Sequence, residues 1–186
     1  MQTEQRQYSQ VEKTFDEVMD ALMGYALING YLPCPDTNND GIENRTGGVC
    51  STISGNFAYG TIPYSDLGLQ NARWDPWGNR YRYQVYASFA SSAAPFTLAT
   101  STASGIRVCA TASTCASNYY TLAGIVMLVS HGKNGLGGTN ATSNTAMASP
   151  TSADELANVN NDRDFVWRPR TDVGTTAGEF DDALRW

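Results

Sequence analysis

The sequence has 186 residues, enough for about one domain, and a chain of this length buries roughly 70% of the surface that it exposes when unfolded. Charged residues make up only 16% of it, and 18 acidic against 12 basic residues give a net charge of −6. This acidic balance argues against a nucleic-acid partner, which would require a basic face. The single histidine removes most zinc sites and most histidine-based catalytic mechanisms, so we expect no enzyme.

Residues 2–29 predict one long amphipathic helix. Apolar side chains recur there at steps of three and four, which places them along one face. They are Tyr8, Val11, Phe15, Val18, Met19, Leu22, Met23 and Ala26. Asn29 and Gly30 tolerate the left-handed conformation that ends a helix, and Pro33 prevents its continuation.

The rest of the chain predicts loops and antiparallel strands. Residues 32–69 are rich in Pro, Asn, Asp and Gly and predict a loop. The Ala/Ser/Thr-rich stretches 87–94 and 139–153 also predict exposed loops. Predicted strands occupy 81–86, 96–98, 106–109, 122–129 and 165–167. Because 122–129 is almost continuously apolar, we expect it to be the innermost strand. The fold class is therefore α+β, a long N-terminal α-helix packed on an antiparallel β-sheet.

Four cysteines form two close pairs in the sequence, Cys34 with Cys50 and Cys109 with Cys115. Four thiols allow three pairings, of which local pairing is the simplest; four unrelated buried thiols are the alternative. Disulfides indicate an environment outside the cytoplasm. The sequence has neither a membrane-spanning apolar stretch nor a signal peptide. We therefore expect that a native amino-terminal segment precedes Gln2.

The most specific local pattern is a candidate calcium loop at residues 36–43. Its candidate ligands are Asp36, Asn38, Asp40, the carbonyl of Ile42, and Glu43. Oxygen ligands at positions 1, 3 and 5, with glycine at position 6 and a carbonyl at position 7, are how a calcium loop surrounds a hard cation. The loop is not an EF-hand, because Gly47 stands where the twelfth-position glutamate is required. An ordinary Asx-rich turn is the alternative.

A second loop, residues 130–138, is rich in glycine and contains His131. It does not fit a phosphate-binding loop, because its lysine comes early and asparagine follows it. No nucleophile elbow of the Gly-x-Ser-x-Gly type accompanies the histidine. We interpret the segment as a flexible turn and His131 as an isolated loop residue.

Residues 75–83, with the sequence Asp-Pro-Trp-Gly-Asn-Arg-Tyr-Arg-Tyr, resemble a stretch of type IV pilins and of type II secretion pseudopilins that leads into the first strand of the sheet. Arg80 stands where the family often has proline. Further stretches similar to the same families are 30–35, 62–64, 67–69 and 129–135. From the residues themselves, we expect Trp74 and Trp77 to pack against the helix stripe.

The resemblance implies that residues 1–31 are the C-terminal half of a pilin N-terminal helix and that 32–186 form the globular head. A preceding apolar half-helix would anchor the subunit in the inner membrane and later contact other pilin subunits in the filament core. The implied function is that of a structural subunit, a major or minor pilin, in a cell-surface filament. The alternatives are a type II secretion pseudopilin and a soluble extracellular calcium-dependent binding or adhesion module.

Overall fold

The computed structural model describes residues 2–102, 104–176 and 178–186, and these form an α+β fold. Two α-helices are present in this part of the chain, α1 (Gln2–Asn29) and α2 (Ala153–Val159). The strands are β1 (Arg45–Thr46), β2 (Val49–Cys50), β3 (Ile53–Ser54), β4 (Phe57–Thr61), β5 (Arg82–Tyr86), β6 (Ile106–Cys109), β7 (Tyr119–Gly124), β8 (Val126–Ser130), β9 (Asp164–Val166) and β10 (Ala183–Arg185).

Helix α1 confirms the predicted amphipathic helix. Its buried apolar residues are Tyr8, Val11, Phe15, Val18 and Leu22, which share one hydrophobic core with the sheets. The ring of Phe15 contacts the ring of Tyr81, just before β5, at a centroid distance of 5.4 Å. Met23 was predicted to belong to the stripe but is 57% exposed, whereas Ala26, one turn later, packs against the core. Neither α1 nor α2 is both long and apolar enough to cross a membrane.

The largest sheet has five strands in the order β10-β8-β5-β4-β3, and all neighbours are antiparallel. A second sheet, in the order β7-β6-β9, pairs β6 antiparallel to β7 and parallel to β9. Strands β1 and β2 form a separate antiparallel pair. Side chains alternate between the faces of β5. Tyr81 therefore reaches α1 on one face, while the Gln84 side-chain amide donates a hydrogen bond to the Asp162 carbonyl on the other.

Three sequence predictions about strands are wrong. The predicted loop 32–69 contains the short strands β1 to β4. The predicted strand 96–98 is absent, since Thr97 lies in a hydrogen-bonded turn with Thr100 and Leu98 is fully exposed. The predicted strand 122–129 is two strands that belong to different sheets and meet at Ile125. Strand β8 is buried along its whole length, whereas β7 is largely exposed.

Of the smaller predictions about packing, those for the disulfides and for Trp77 are confirmed and that for Trp74 is wrong. Both local disulfides are formed, Cys34–Cys50 and Cys109–Cys115. Trp77 packs against the α1 stripe, with its ring centroid 4.7 Å from that of Tyr8. Trp74 does not reach the stripe: it is 48% exposed, and the Arg73 guanidinium stacks on its ring.

Candidate metal centre

Three carboxylates from distant parts of the chain meet near the end of the five-stranded sheet. Glu155 lies in the first turn of α2, and Asp181 and Asp182 directly precede β10. One oxygen from each lies within 4.8 Å of the others. Glu155 is 1% exposed and Asp182 5%, while Asp181 is partly buried. We call these three residues the acidic cluster, and a buried cluster of this kind could hold a metal ion.

Strand pairing explains the position of the two aspartates. Ala183 of β10 pairs with Ser130 of β8, so the residues before β10 lie beside those that follow β8. The loop after β8 comes close to Asp181, where Gly132 has a φ of +58°. A Cβ atom at Gly132 would lie 2.4 Å from the Asp181 carbonyl oxygen, so only glycine permits this approach. The glycine-rich loop therefore packs directly against Asp181.

Neighbouring polar groups hold the carboxylates in place. The Asn134 backbone N–H donates to Asp181 Oδ2 at 2.8 Å, and the Asp181 backbone N–H donates to Glu155 Oε1 at 3.0 Å. The Asn158 side-chain amide donates to Asp182 Oδ2 at 2.8 Å. These bonds are accepted by Oε1 of Glu155, Oδ2 of Asp181 and Oδ2 of Asp182. The other oxygen of each carboxyl group accepts none of them.

Two of the remaining oxygens accept no hydrogen bond from a backbone or amide N–H group of the described residues. They are Glu155 Oε2 and Asp181 Oδ1, which are buried, and the two carboxyl side chains hydrogen-bond each other. The third carboxylate, Asp182, has Oδ1 at 3.4 Å from Nδ1 of His131, which is 2% exposed and has no other hydrogen bond at that nitrogen in the described chain. The sequence interpretation of His131 as an isolated loop residue is therefore wrong, since β8 carries it to the edge of the acidic cluster.

The acidic cluster carries a concentrated negative charge. No lysine or arginine among the described residues forms an ion pair with it. Burial, together with the negative charge of the neighbouring Asp182, raises the pKa of Glu155 to about 7. Burial and the charge of Asp182 likewise raise the pKa of Asp181 to about 6. The raised pKa values mean that the protonated forms of Glu155 and Asp181 are favoured relative to exposed carboxyls.

The candidate calcium loop at residues 36–43 has a different arrangement. Asp36 is fully buried, and its Oδ1 accepts the backbone N–H groups of Asn38 and Asn39 at 3.0 and 2.7 Å. Its Oδ2 accepts the N–H of Gly41 at 2.7 Å. Gly41 has a positive φ of +88°. These bonds are those of an Asx-rich turn, the alternative given by the sequence.

The other two carboxylates of this loop are also hydrogen-bonded. Asp40 accepts the N–H of Ile42 and the side-chain amide of Asn38, at 2.8 and 2.9 Å. Glu43 forms an ion pair with Arg45 at 2.7 Å. A calcium ion in this loop would have to replace several of these bonds, and no three carboxylates of residues 36–43 approach one another as those of the acidic cluster do. Calcium binding here stays a prediction.

Sequence reasoning missed the acidic cluster because its members have no motif spacing. Glu155 and Asp181 are 26 positions apart. The only local signal is Ser152 followed by Asp154 and Glu155, a pattern typical of a helix start. It would have predicted α2 directly after the expected loop 139–153.

A comparison with protein-family models finds no match to this sequence, and searches of curated proteins and of solved structures find no significant similarity.

Proposed function

We propose that the chain is a structural subunit of a type IV pilus-like filament on the bacterial cell surface. The observation that carries the proposal is the docking of the 28-residue helix α1, along one apolar stripe, against an antiparallel sheet. This is the architecture that the resemblance of residues 75–83 implies. In this role the chain assembles and is presented at the surface, and it performs no catalysis.

The outer side of α1 offers a surface for neighbouring subunits. Leu27 and Ile28 are 88% and 86% exposed, and Met23 lies one turn before Leu27. Large apolar side chains on the outside of a helix are the usual material of a helix–helix contact. We propose that other subunits pack here, and that an apolar segment before Gln2 holds the subunit in the inner membrane before assembly.

Calcium is the ion that we propose for the head. Every candidate ligand in the acidic cluster and in residues 36–43 is an oxygen atom, which hard cations prefer. Binding in the range of about 10⁻⁴–10⁻³ M suits an extracellular module. The ion would serve stability and not chemistry, since it would fasten loops that contain few apolar residues.

The first experiment is to determine the gene sequence upstream of Gln2. The proposal predicts a short basic leader that ends in glycine, followed by about 20 apolar residues with one early glutamate. An ordinary cleaved signal peptide at this place would contradict it.

The second experiment expresses the full gene in its host and compares Leu27→Asp with Gln10→Asp, an exposed polar position on the same helix. We expect filaments to be lost only with Leu27→Asp, and retained filaments would contradict the proposed contact.

A pseudopilin of a type II secretion system has the same proposed fold, and a secretion defect on deletion of the gene would favour it over a surface filament.

A soluble binding module is the other candidate, and an aromatic surface group favours it. Tyr120, Trp167 and Trp186 are each more than a third exposed. The ring of Trp167 lies between the other two, with centroid distances of 5.7 Å to Tyr120 and 6.1 Å to Trp186. Exposed aromatic faces of this kind offer apolar area on which the C–H faces of a sugar can stack. Loss of glycan binding in Trp167→Ala would support this alternative.

A further inference from the structure

We infer that a polar cleft on the face of the five-stranded sheet that is turned away from α1 binds an acidic sugar, whose carboxylate pairs with Arg80 and Arg82. The cleft has a volume of about 340 Å³, and we call it the arginine cleft. Besides the two arginines, its walls include Asp36, Tyr59 and Asn161. The inference goes beyond the proposed role as a filament subunit and does not depend on it.

The register of the sheet brings the two arginines to this face. Side chains alternate along β5 and the residues that lead into it, so Arg80 and Arg82 lie on one side and Tyr81, between them, on the other. The Tyr81 ring contacts Phe15 of α1, which makes the arginine side the one away from the helix. Arg82 pairs with Thr61 of β4, and paired residues share a face. Both arginines and Thr61 therefore line the same cleft.

Arg80 is a buried cation without a counter-ion. It stands at the position where the chain departs from the stretch that resembles the pilins, and it is only 3% exposed. Its Nε and Nη2 both donate to the side-chain oxygen of Asn144, at 3.1 and 2.8 Å. That oxygen is uncharged, and Nη1 donates no hydrogen bond to the described residues. The guanidinium therefore keeps an uncompensated charge and an unused donor.

The Arg82 guanidinium is in the same condition. It donates only to neutral oxygens, those of the Val159 and Asn160 carbonyls and of the Gln84 and Asn161 side chains. Its Nε is buried and has no partner in the described part of the chain. Burial lowers the pKa of Arg82 to about 10, so this group is still a cation at neutral pH. Neither arginine forms an ion pair with a carboxylate of the described residues.

An anion from outside the chain is the partner that these cations lack. Arginine is rarely buried unless it is paired, because an uncompensated buried charge is costly. Among the described residues that line the cleft, only Asp36 carries a carboxylate, and backbone N–H groups occupy both of its oxygens. The chain has a net charge of −6, so a local excess of positive charge is a property of the cleft and not of the whole protein. Guanidinium groups bind carboxylates and phosphates through parallel N–H donors, so the ligand carries one of these groups.

The remaining walls favour a sugar carboxylate over a phosphate. The glycine-rich loop reaches the cleft at Gly137 and Gly138, but their N–H groups already donate to the carbonyls of Ala148 and Gly135, at 2.7 and 3.1 Å. They therefore form no nest of free N–H groups of the kind that holds a phosphate. Uncharged hydroxyl and amide side chains, which match the hydroxyls of a sugar ring, supply much of the lining. They are Thr37, Asn39, Thr52, Thr61, Thr139 and Asn161.

Tyr59 adds an apolar surface, and the volume limits the size of the ligand. The Tyr59 ring lines the cleft with its centroid 6.0 Å from the Arg82 guanidinium carbon, so the C–H face of a sugar can pack on the ring beside the cation. A volume of about 340 Å³ is at the small end of ligand sites, which range from about 300 to 1,000 Å³. One hexuronate unit therefore suits the cleft better than a long glycan.

The test is an NMR titration of the isotope-labelled chain with sodium glucuronate. Glucose is the matched neutral ligand with the same ring, and sodium chloride equalises the ionic strength. A ligand of this size should bind with a Kd of about 1 mM and shift the amide signals of Tyr59, Thr61 and Arg82. Glucose should bind at least about tenfold more weakly, because it has no carboxylate to pair with the arginines.

Two variants remove the uncompensated charge in different ways. Arg80→Gln deletes one cation and should weaken glucuronate binding at least about tenfold. Asn161→Asp keeps both arginines but places a carboxylate where Arg82 Nη2 already donates, at 3.0 Å. This internal counter-ion should compete with the ligand, weaken binding about tenfold and leave the Tm equal to or above that of wild type. Asn118→Asp is the matched control, since it makes the same charge change at an exposed residue outside the cleft, and it should bind as wild type does.

Several results would overturn the inference. One is the absence of shifts in wild type at ten times the expected Kd, and another is equal binding of glucose and glucuronate. Wild-type affinity in a folded Asn161→Asp would show that the arginines do not hold the ligand. Inorganic phosphate that bound more tightly than glucuronate would contradict the assignment to a sugar. Loss of binding in Trp167→Ala, with Arg80→Gln unchanged, would move the sugar to the aromatic surface group. None of these results bears on filament assembly, which the experiments on Leu27 test separately.

Discussion

Replacing Phe15 with alanine removes the central side chain of the contact between α1 and the sheet. Phe15 has no exposed surface, and its ring meets Tyr81 edge-on at a centroid distance of 5.4 Å. Truncation of a buried phenylalanine costs about 3–5 kcal/mol, because the transfer free energy is lost and a cavity remains. For a chain of this length each kcal/mol lowers the Tm by about 2–4 °C, so we expect a fall of about 6–20 °C.

The free energy of unfolding would be measured by guanidinium titration followed by circular dichroism, with the slope compared between variants. Met23→Ala is the matched control, since Met23 lies on the same helix and is 57% exposed. Its change should stay within about 0.5 kcal/mol. If Phe15→Ala cost less than about 1 kcal/mol, or no more than Met23→Ala, this face of α1 would not be the one that packs on the sheet.

Three further predictions concern the disulfides and the acidic cluster. Replacing Cys34 and Cys50 together by alanine should lower the free energy of unfolding by about 3 kcal/mol. The same change at the other disulfide should lower it by about 2 kcal/mol, because its cysteines are 6 positions apart and not 16. Equal losses in denaturant titrations would contradict this. In chelator, the pKa values of Glu155 and Asp181 lie above their ordinary range, at about 7 and about 6, so their contribution to stability is present at pH 5 and is lost as the pH rises to 8. A denaturation midpoint that rises with pH over this range would refute that sign, and Glu155→Gln should flatten the profile. Gly132→Ala should destabilise the protein by at least about 1 kcal/mol, because its φ is positive and the new Cβ would lie 2.4 Å from the Asp181 carbonyl; an unchanged Tm would show that the loop moves freely.

Local patterns predicted the elements whose periodicity is unambiguous. The three-and-four spacing before Asn29 specifies α1, and the alternation after Tyr81 specifies β5, because each pattern matches the geometry of one element. A continuous apolar run has no such period. The run around Ile125 was therefore taken as one strand, although Gly124 ends β7 and the chain passes into a different sheet.

The acidic cluster could not be predicted from spacing, because it is a product of topology. Only the pairing of β10 with β8 brings the residues before Ala183 next to those after Ser130, and only α2 then adds Glu155. The loop at 36–43 shows the opposite case. Its spacing matches a calcium loop, yet the same residue types also satisfy the backbone of a tight turn, and spacing does not distinguish the two uses.

The contact between Tyr8 and Asp181 joins residues that are 173 positions apart, and it has a consequence for synthesis. Translation at about 5–20 residues per second separates the appearance of these two residues by about 10–35 s. During that interval the start of α1 has emerged while the strand that covers it, β10, does not yet exist. Arg185 of β10, which pairs with Asp16 of α1 at 2.7 Å, arrives later still. The apolar stripe of α1 thus leaves the ribosome long before the strand that covers part of it, and a holdase chaperone that binds this stripe should raise the yield of folded protein.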